Sequence, residues 1–170
     1  LSETSAPTGD RDDDTGGSSN VLVPANGRHE PYARIDYSHG SPNIAHKRPY
    51  LVLDLQGPSG DEVRLHGLLD TGADCTVFPW ALHSVLGYTS STLEATSIQE
   101  LTGSTEVFCS PKPTEAWLPS APEDKFDITP FFAKNCETVL WGRRDFFKRF
   151  NCLIFESDEY VLVGPFTQRV

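Results

Sequence analysis

The chain has 170 residues, of which 38% are hydrophobic and 22% charged, and its formal net charge is −10. That length suits one domain plus a tail, since domains run to roughly 100–200 residues. The acidic balance excludes sequence-independent nucleic-acid binding, which needs a basic surface, and no run approaches the ~18 apolar residues of a membrane span.

Residues 1–4 have neither the basic nor the apolar region of a signal peptide. With Leu in first place and no Met anywhere, the chain reads as a processed or excised fragment whose targeting information could be missing. The four cysteines, Cys75, Cys109, Cys136 and Cys152, are spaced by 34, 27 and 16 residues. No Cys-x-x-Cys pair occurs, which argues against a zinc site. Each cysteine sits in an apolar or strand-like context and reads as a buried free thiol, which points weakly to a reducing, cytoplasmic location.

Residues 1–28 are rich in Ser, Thr, Gly, Asp and Asn and include Asp12-Asp13-Asp14. Such a stretch buries too little apolar surface to offset chain entropy and reads as a disordered acidic tail. Val21-Leu22-Val23 is its one apolar spot, able to pair with a sheet edge but read here as a transient cluster. His29-Glu30 opens like a zincin helix, yet Ala33 stands where the second His is required. Residues 31–49, with Pro31, Gly40, Pro42 and Pro49, read as an irregular lead-in. Residues 50–55 are a strand and residues 57–61 a turn. Residues 62–69 then alternate, with Val63, Leu65 and Leu69 on one face and Arg64, His66 and Leu68 on the other. This hairpin delivers Asp70 at its end, and His66 reads as a solvated face residue.

After the turn at Asp70, residues 75–78 form another short strand. Residues 79–86 form a short helix stopped by Gly87, and residues 88–100 an exposed strand pair. Residues 98–108 flank Thr102-Gly103-Ser104 with two alternating arms, a hairpin signature. Residues 110–125 carry Pro111, Pro113, Pro119 and Pro122 and read as a stiff, irregular insertion pinned by Trp117 and Leu118. Residues 126–133 form an outer strand broken at Pro130. Residues 138–142 are an apolar strand ending in Gly. Residues 143–150 form a helix with Phe146, Phe147 and Phe150 inward and Asn151 as a left-handed cap. A hairpin over residues 152–163 closes the chain.

The organising stretch is residues 68–79, Leu-Leu-Asp-Thr-Gly-Ala-Asp-Cys-Thr-Val-Phe-Pro. A carboxylate at the mouth of a core is costly unless paired, hydrogen-bonded or functional. The segment resembles the active-site turn of aspartic proteases in its retroviral form, the retropepsins. Residues 140–147, Leu-Trp-Gly-Arg-Arg-Asp-Phe-Phe, are similar to the later apolar-apolar-Gly motif of that family and to the Gly-Arg-x-Asp-Phe-Phe of its bacterial members. Trp141 departs from the usual Ile, Leu or Val. The resemblance covers about residues 49–166.

It implies a mostly β, single-lobe, closed barrel-like domain with one or two short helices, assigned here to residues 29–170. It implies Asp70, Thr71 and Gly72 as catalytic residues, with Thr71 bonding across a dimer axis. Ala73, Asp74 and the flap residues Leu101, Thr102, Gly103 and Ser104 would meet substrate. Leu140, Trp141, Gly142 and Arg143 would support the site, Gly142 because the chain passes the Asp-Thr-Gly turn too closely for a Cβ. Arg143 would clamp Asp74 with its planar fork.

The motif occurs once, so the implied enzyme is a homodimeric aspartic endopeptidase acting on peptide or protein substrates without cofactor or metal. Two carboxylates held together share one proton, the ionised one taking a proton from the attacking water and the protonated one stabilising the oxyanion and later supplying the leaving nitrogen's proton. The competing reading is a weak or inactive dimerisation or peptide-binding domain on the same fold. A metallo-, serine or cysteine hydrolase finds no motif.

Overall fold

The computed structural model describes residues 23–24, 33–40, 45–100, 103–164 and 166–167. In chain order the strands are β1 (Val23–Pro24), β2 (Ala33–Asp36), β3 (Tyr50–Gln56), β4 (Glu62–Leu69), β5 (Val77–Pro79), β6 (Glu94–Glu100), β7 (Gly103–Cys109), β8 (Thr114–Leu118), β9 (Ala121–Ile128), β10 (Phe131–Ala133), β11 (Val139–Trp141), β12 (Asn151–Phe155), β13 (Tyr160–Gly164) and β14 (Phe166–Thr167). A one-turn helix, α1 (Leu82–Val85), follows β5.

Nine strands form one sheet in the order β6-β7-β10-β5-β11-β4-β3-β8-β9. The mostly β expectation holds, but the sheet is open rather than closed into a barrel. Closure would require β6 to pair with β9. Pro122 has no N–H to give, and Glu123, Asp124, Lys125 and Asp127 line β9 with charge, which blunts that edge.

Alternation decides what is buried. On β3, Leu51, Leu53 and Leu55 share one face and are buried, as a period of two requires. They pack with Phe78, Phe132, Trp141, Phe146 and Phe150 in the main core. On the other face Asp54 lies opposite Arg64 and accepts a two-pronged bond, Nε to Oδ1 at 2.6 Å and Nη2 to Oδ2 at 2.8 Å. That hydrogen-bonding holds the Asp54 carboxyl below the usual carboxylate range.

Helix α1 is shorter than expected because Pro79 belongs to β5. Gly87 ends it at φ +84, and a Cβ there would lie 2.5 Å from the Ser59 nitrogen, so conformation and space both demand glycine.

Several expectations fail locally. The Pro-rich stretch expected to be irregular is the β8–β9 hairpin, with Ala116, Trp117, Leu118 and Ala121 buried. Its prolines stand where no ladder N–H is needed: Pro111 and Pro113 before β8, Pro119 in the turn and Pro122 on the sheet edge. Part of the supposed lead-in is β2, which pairs with β13 in a three-stranded sheet β12-β13-β2. Asn151 starts β12, and the left-handed non-glycine residue among those described is Glu159, φ 54, in the last turn.

The segment Arg143–Phe147 is wound as a π-helix, because the Gly142 carbonyl accepts from Phe146 N at 3.1 Å and Phe147 N at 3.4 Å. Phe146 and Phe150 are still buried and Phe147 half-buried. Val23 of the apolar tail spot pairs with Thr167 and Pro24 with Phe166; the rest of residues 1–28 lies outside the described residues. No helix among the described residues is long and apolar enough to cross a membrane.

Candidate active site

Asp70 owes its position to two neighbours of β4. Strand β3 pairs with β4 antiparallel and β11 pairs with it in parallel, placing Trp141 beside Leu69. The strand's last N–H groups are used up: Leu69 N donates to Pro49 O at 2.9 Å and Asp70 N to Trp141 O at 3.2 Å. Ala73 N then closes the turn onto Asp70 O at 3.2 Å. Gly72 N donates to Asp70 Oδ1 at 2.9 Å, so the backbone orients the carboxylate as well as carrying it.

The late Gly-Arg segment braces this turn through its main chain. Arg143 N donates to Ala73 O and Arg144 N to Asp74 O, each at 2.9 Å. Gly142 N donates to the Thr76 hydroxyl at 3.3 Å. A Cβ on Gly142 would lie 2.2 Å from Cys75 O. The close approach is therefore to Cys75, just past the Asp-Thr-Gly turn, rather than to the turn itself.

Trp141 fits because of a glycine. A Cβ on Gly67 would lie 2.7 Å from the indole, so the missing side chain on β4 is the space the larger ring occupies. The indole N–H donates to Leu51 O at 3.0 Å, satisfying its one polar atom in the core.

Arg143 forms an ion pair with Asp74 through Nη2 and Oδ1. The hydrogen bond from Arg143, and then its charge, hold the Asp74 carboxyl below the usual range. Both side chains are exposed, so the pair is screened by solvent.

Two supporting residues escaped the sequence. Thr76 is fully buried, and its N–H donates to Asp145 Oδ2 at 3.2 Å while Thr129 N donates to Oδ1 at 3.3 Å. Asp145 thus clips the segment after the turn to the loop before β10. An Asp beside two aromatic residues in a helical pattern gives no sign of this, because both its partners are backbone groups.

Asp70 opens onto a cleft of about 1050 Å³ shared with Gly72, Ala73, Asp74, Cys75, Val77, Phe131, Leu140 and Arg144. Its far side is β6, through Thr96, Ser97, Ile98 and Gln99. The hairpin expected there is present, β6 pairing with β7 from Glu94↔Cys109 to Glu100↔Gly103, and among the described residues it is the arm β6 that lines the cleft. Of the expected tip residues, Leu101 and Thr102 lie outside the described residues. Gly103 and Ser104 open β7, with Ser104 exposed. Thr71 does not line the cleft. It is exposed and borders a smaller hollow of about 190 Å³ with Pro49, Leu69, Phe147, Cys152 and Ile154. Trp141 lies in the core and Gly142 is buried at the brace.

All four cysteines are free. Burial pushes the Cys75 thiol up to about 11, with the charge of Asp145 adding to it, and burial alone pushes Cys152 up to about 12. Both are thiols at neutral pH and poor nucleophiles. Among the described residues no three His, Cys, Asp or Glu side chains are grouped to hold a metal ion.

No protein-family model and no curated protein matches the chain. Among solved structures, a retropepsin-like aspartic protease from Rickettsia conorii superposes with a TM-score of 0.52 at 16% identity, over 78% of this chain and 90% of that one. EIAV protease in complex with an inhibitor gives a TM-score of 0.44 at 23% identity, over 61% of this chain and 88% of that one. At such identities the likeness is one of fold, and the fold of this chain is that of the retropepsin-like aspartic proteases.

Proposed function

We propose that the chain is an aspartic endopeptidase whose active form is a homodimer, each copy contributing one Asp70. The observation that carries this reading is the setting of Asp70. Its carboxylate is aligned by Gly72 N and opens onto a cleft with the apolar side chains Val77, Ile98, Phe131 and Leu140. A carboxylate fixed beside apolar walls suits a peptide bond with apolar flanks better than it suits a structural role.

One such aspartate is half of an acid–base pair. Two copies related by a two-fold axis would bring the carboxylates together, and like charges side by side share one proton. The ionised member takes a proton from water as the water oxygen attacks the peptide carbonyl carbon. The protonated member hydrogen-bonds the forming oxyanion. When the tetrahedral species collapses, the amide nitrogen receives a proton and the C–N bond breaks. Thr71, exposed at the edge of the smaller hollow, would meet its copy across the axis. Gly72, Ala73 and Asp74 would receive the substrate main chain, and the β6–β7 hairpin would close over it.

Replacing Asp70 by Asn keeps the shape and removes the titration. Cleavage of an unfolded protein substrate should fall by on the order of 10³-fold or more, while the melting profile stays that of the parent. Retained cleavage would end the assignment. Sedimentation of the active protein should show a dimer, and full activity from a strict monomer would break the two-chain site.

A further inference from the structure

The cleft carries a cation that the chemistry above does not use. Among the described residues Arg144 is the one basic residue lining the cleft, whose wall also includes Asp74. The Asp74 carboxylate is already taken by Arg143. Arg144 donates its backbone N–H to Asp74 O, and its charge adds a smaller pull on the Asp74 carboxylate than that of Arg143. Among the described residues its guanidinium makes no ion pair or side-chain hydrogen bond, and it is exposed. The backbone bond fixes the residue's root, so the exposed guanidinium is held within reach of the cleft. It does so in a chain of net charge −10, where the general field repels acidic ligands.

We infer that Arg144 is a specificity-determining residue selecting peptides with an Asp or Glu side chain outward from the apolar pair at the scissile bond. The inference rests on the endopeptidase reading and names its substrate class. A guanidinium presents a planar fork that a carboxylate fits in two-pronged fashion. A neutral amide at the same position keeps the shape and loses the charge, so the discrimination is electrostatic. The proposed two-fold axis adds a prediction that a one-chain site would not make. A two-fold axis carries one Arg144 into each half of the joined cleft, so acidic side chains are read at matching distances on both sides of the scissile bond.

The test uses one apolar peptide core in which a single Glu, Gln or Lys is moved outward one position at a time on either side. With the parent protein, kcat/KM for Glu should exceed that for Gln by roughly three- to tenfold at one distance on each side. The ratio should shrink as salt is added. Arg144→Gln should erase the ratio, and Arg144→Glu should make the Lys peptide the preferred one. The same peptides, titrated onto the Asp70→Asn protein by fluorescence polarisation, test recognition without cleavage. There the Glu preference should appear, and it should vanish in Asp70→Asn/Arg144→Gln. Equal treatment of Glu and Gln by both proteins, or a Glu preference that survives Arg144→Gln, overturns the role of Arg144. A Glu preference in binding with no cleavage by the parent protein would instead overturn the endopeptidase reading and leave Arg144 standing.

Discussion

The two sides of the cleft are built to opposite rules. The floor, residues 70–76, is tied by main-chain bonds to residues 141–144 and by Asp145 to the loop before β10, with Thr76 and Trp141 fully buried beneath it. The cover is β6, an edge strand whose residues Glu94, Ala95, Thr96 and Ser97 are all exposed and whose one sheet neighbour among the described strands is β7. Strand β7 is itself anchored to β10 only through Val107, Phe108 and Cys109. Residues nearer the tip have no third strand. Under the proposed function, a carboxylate that meets its twin in one geometry would need a floor that does not yield, whereas a cover that admits a peptide would need few buried contacts.

The hardest blow to the floor is Gly142→Ala. Its Cβ would meet main chain rather than a flexible side chain. Stability should drop by about 3 kcal/mol, the upper end for overpacking, with loss of cleavage beyond what the melting shift explains. A near-silent substitution would mean that the floor can move. Next comes the Gly67 and Trp141 cycle. Gly67→Ala should cost about 1–3 kcal/mol in the parent, and clearly less in a Trp141→Leu background, which removes the two nearest contacts, both at 2.7 Å, and leaves that of Val139 at 2.8 Å. Additive losses would show that ring and gap are not matched.

The cover should respond differently. Ser97→Ala should alter stability by no more than about 0.5 kcal/mol, while changing KM for peptide. Native-state hydrogen exchange of β6 should run well ahead of β4 and β11; equal protection would erase the contrast.

The smallest effect is expected from acid. The folded-state values of Asp54 and Asp74 are lowered, so what their pairs contribute is present above the unfolded carboxylate value of about 3.9 and is lost as pH falls through the lower folded value. Asp54→Asn should flatten the decline of melting temperature below about pH 4 more than Asp74→Asn does, since the Asp54 side chain is 14% exposed and that of Asp74 75%. The reverse order would make the surface pair, not the main chain, the main brace of the floor.

What the sequence revealed follows the range of the interactions. The strand into Asp70, the stop at Gly87, the β6–β7 hairpin and the break at Pro130 are local, and each was legible from alternation or turn chemistry. The Asp74–Arg143 pair was legible only through family resemblance. The β8–β9 hairpin was missed because four prolines outweighed the Thr114–Leu118 alternation, and their harmless placement appears only once β9 is known to be an edge. Strand β2 was missed because its partner lies more than a hundred residues away. Asp145 was missed for a related reason: a carboxylate that serves distant backbone N–H groups constrains no other side chain and leaves no pattern.

The parallel pairing of β11 with β4 also has a consequence during synthesis. When β4 and the Asp70 turn leave the ribosome, the strand and loop that hold them, residues 139–144, have not been made. A nascent chain therefore carries an aspartate with no floor beneath it. Such wide sequence separation makes assembly slow and late. β13, which pairs with β2 from the opposite end of the domain, is made later still. Under the proposed function this delay is a safeguard, because the half-site takes shape only after nearly the whole domain has been translated and the chain is free to find its twin.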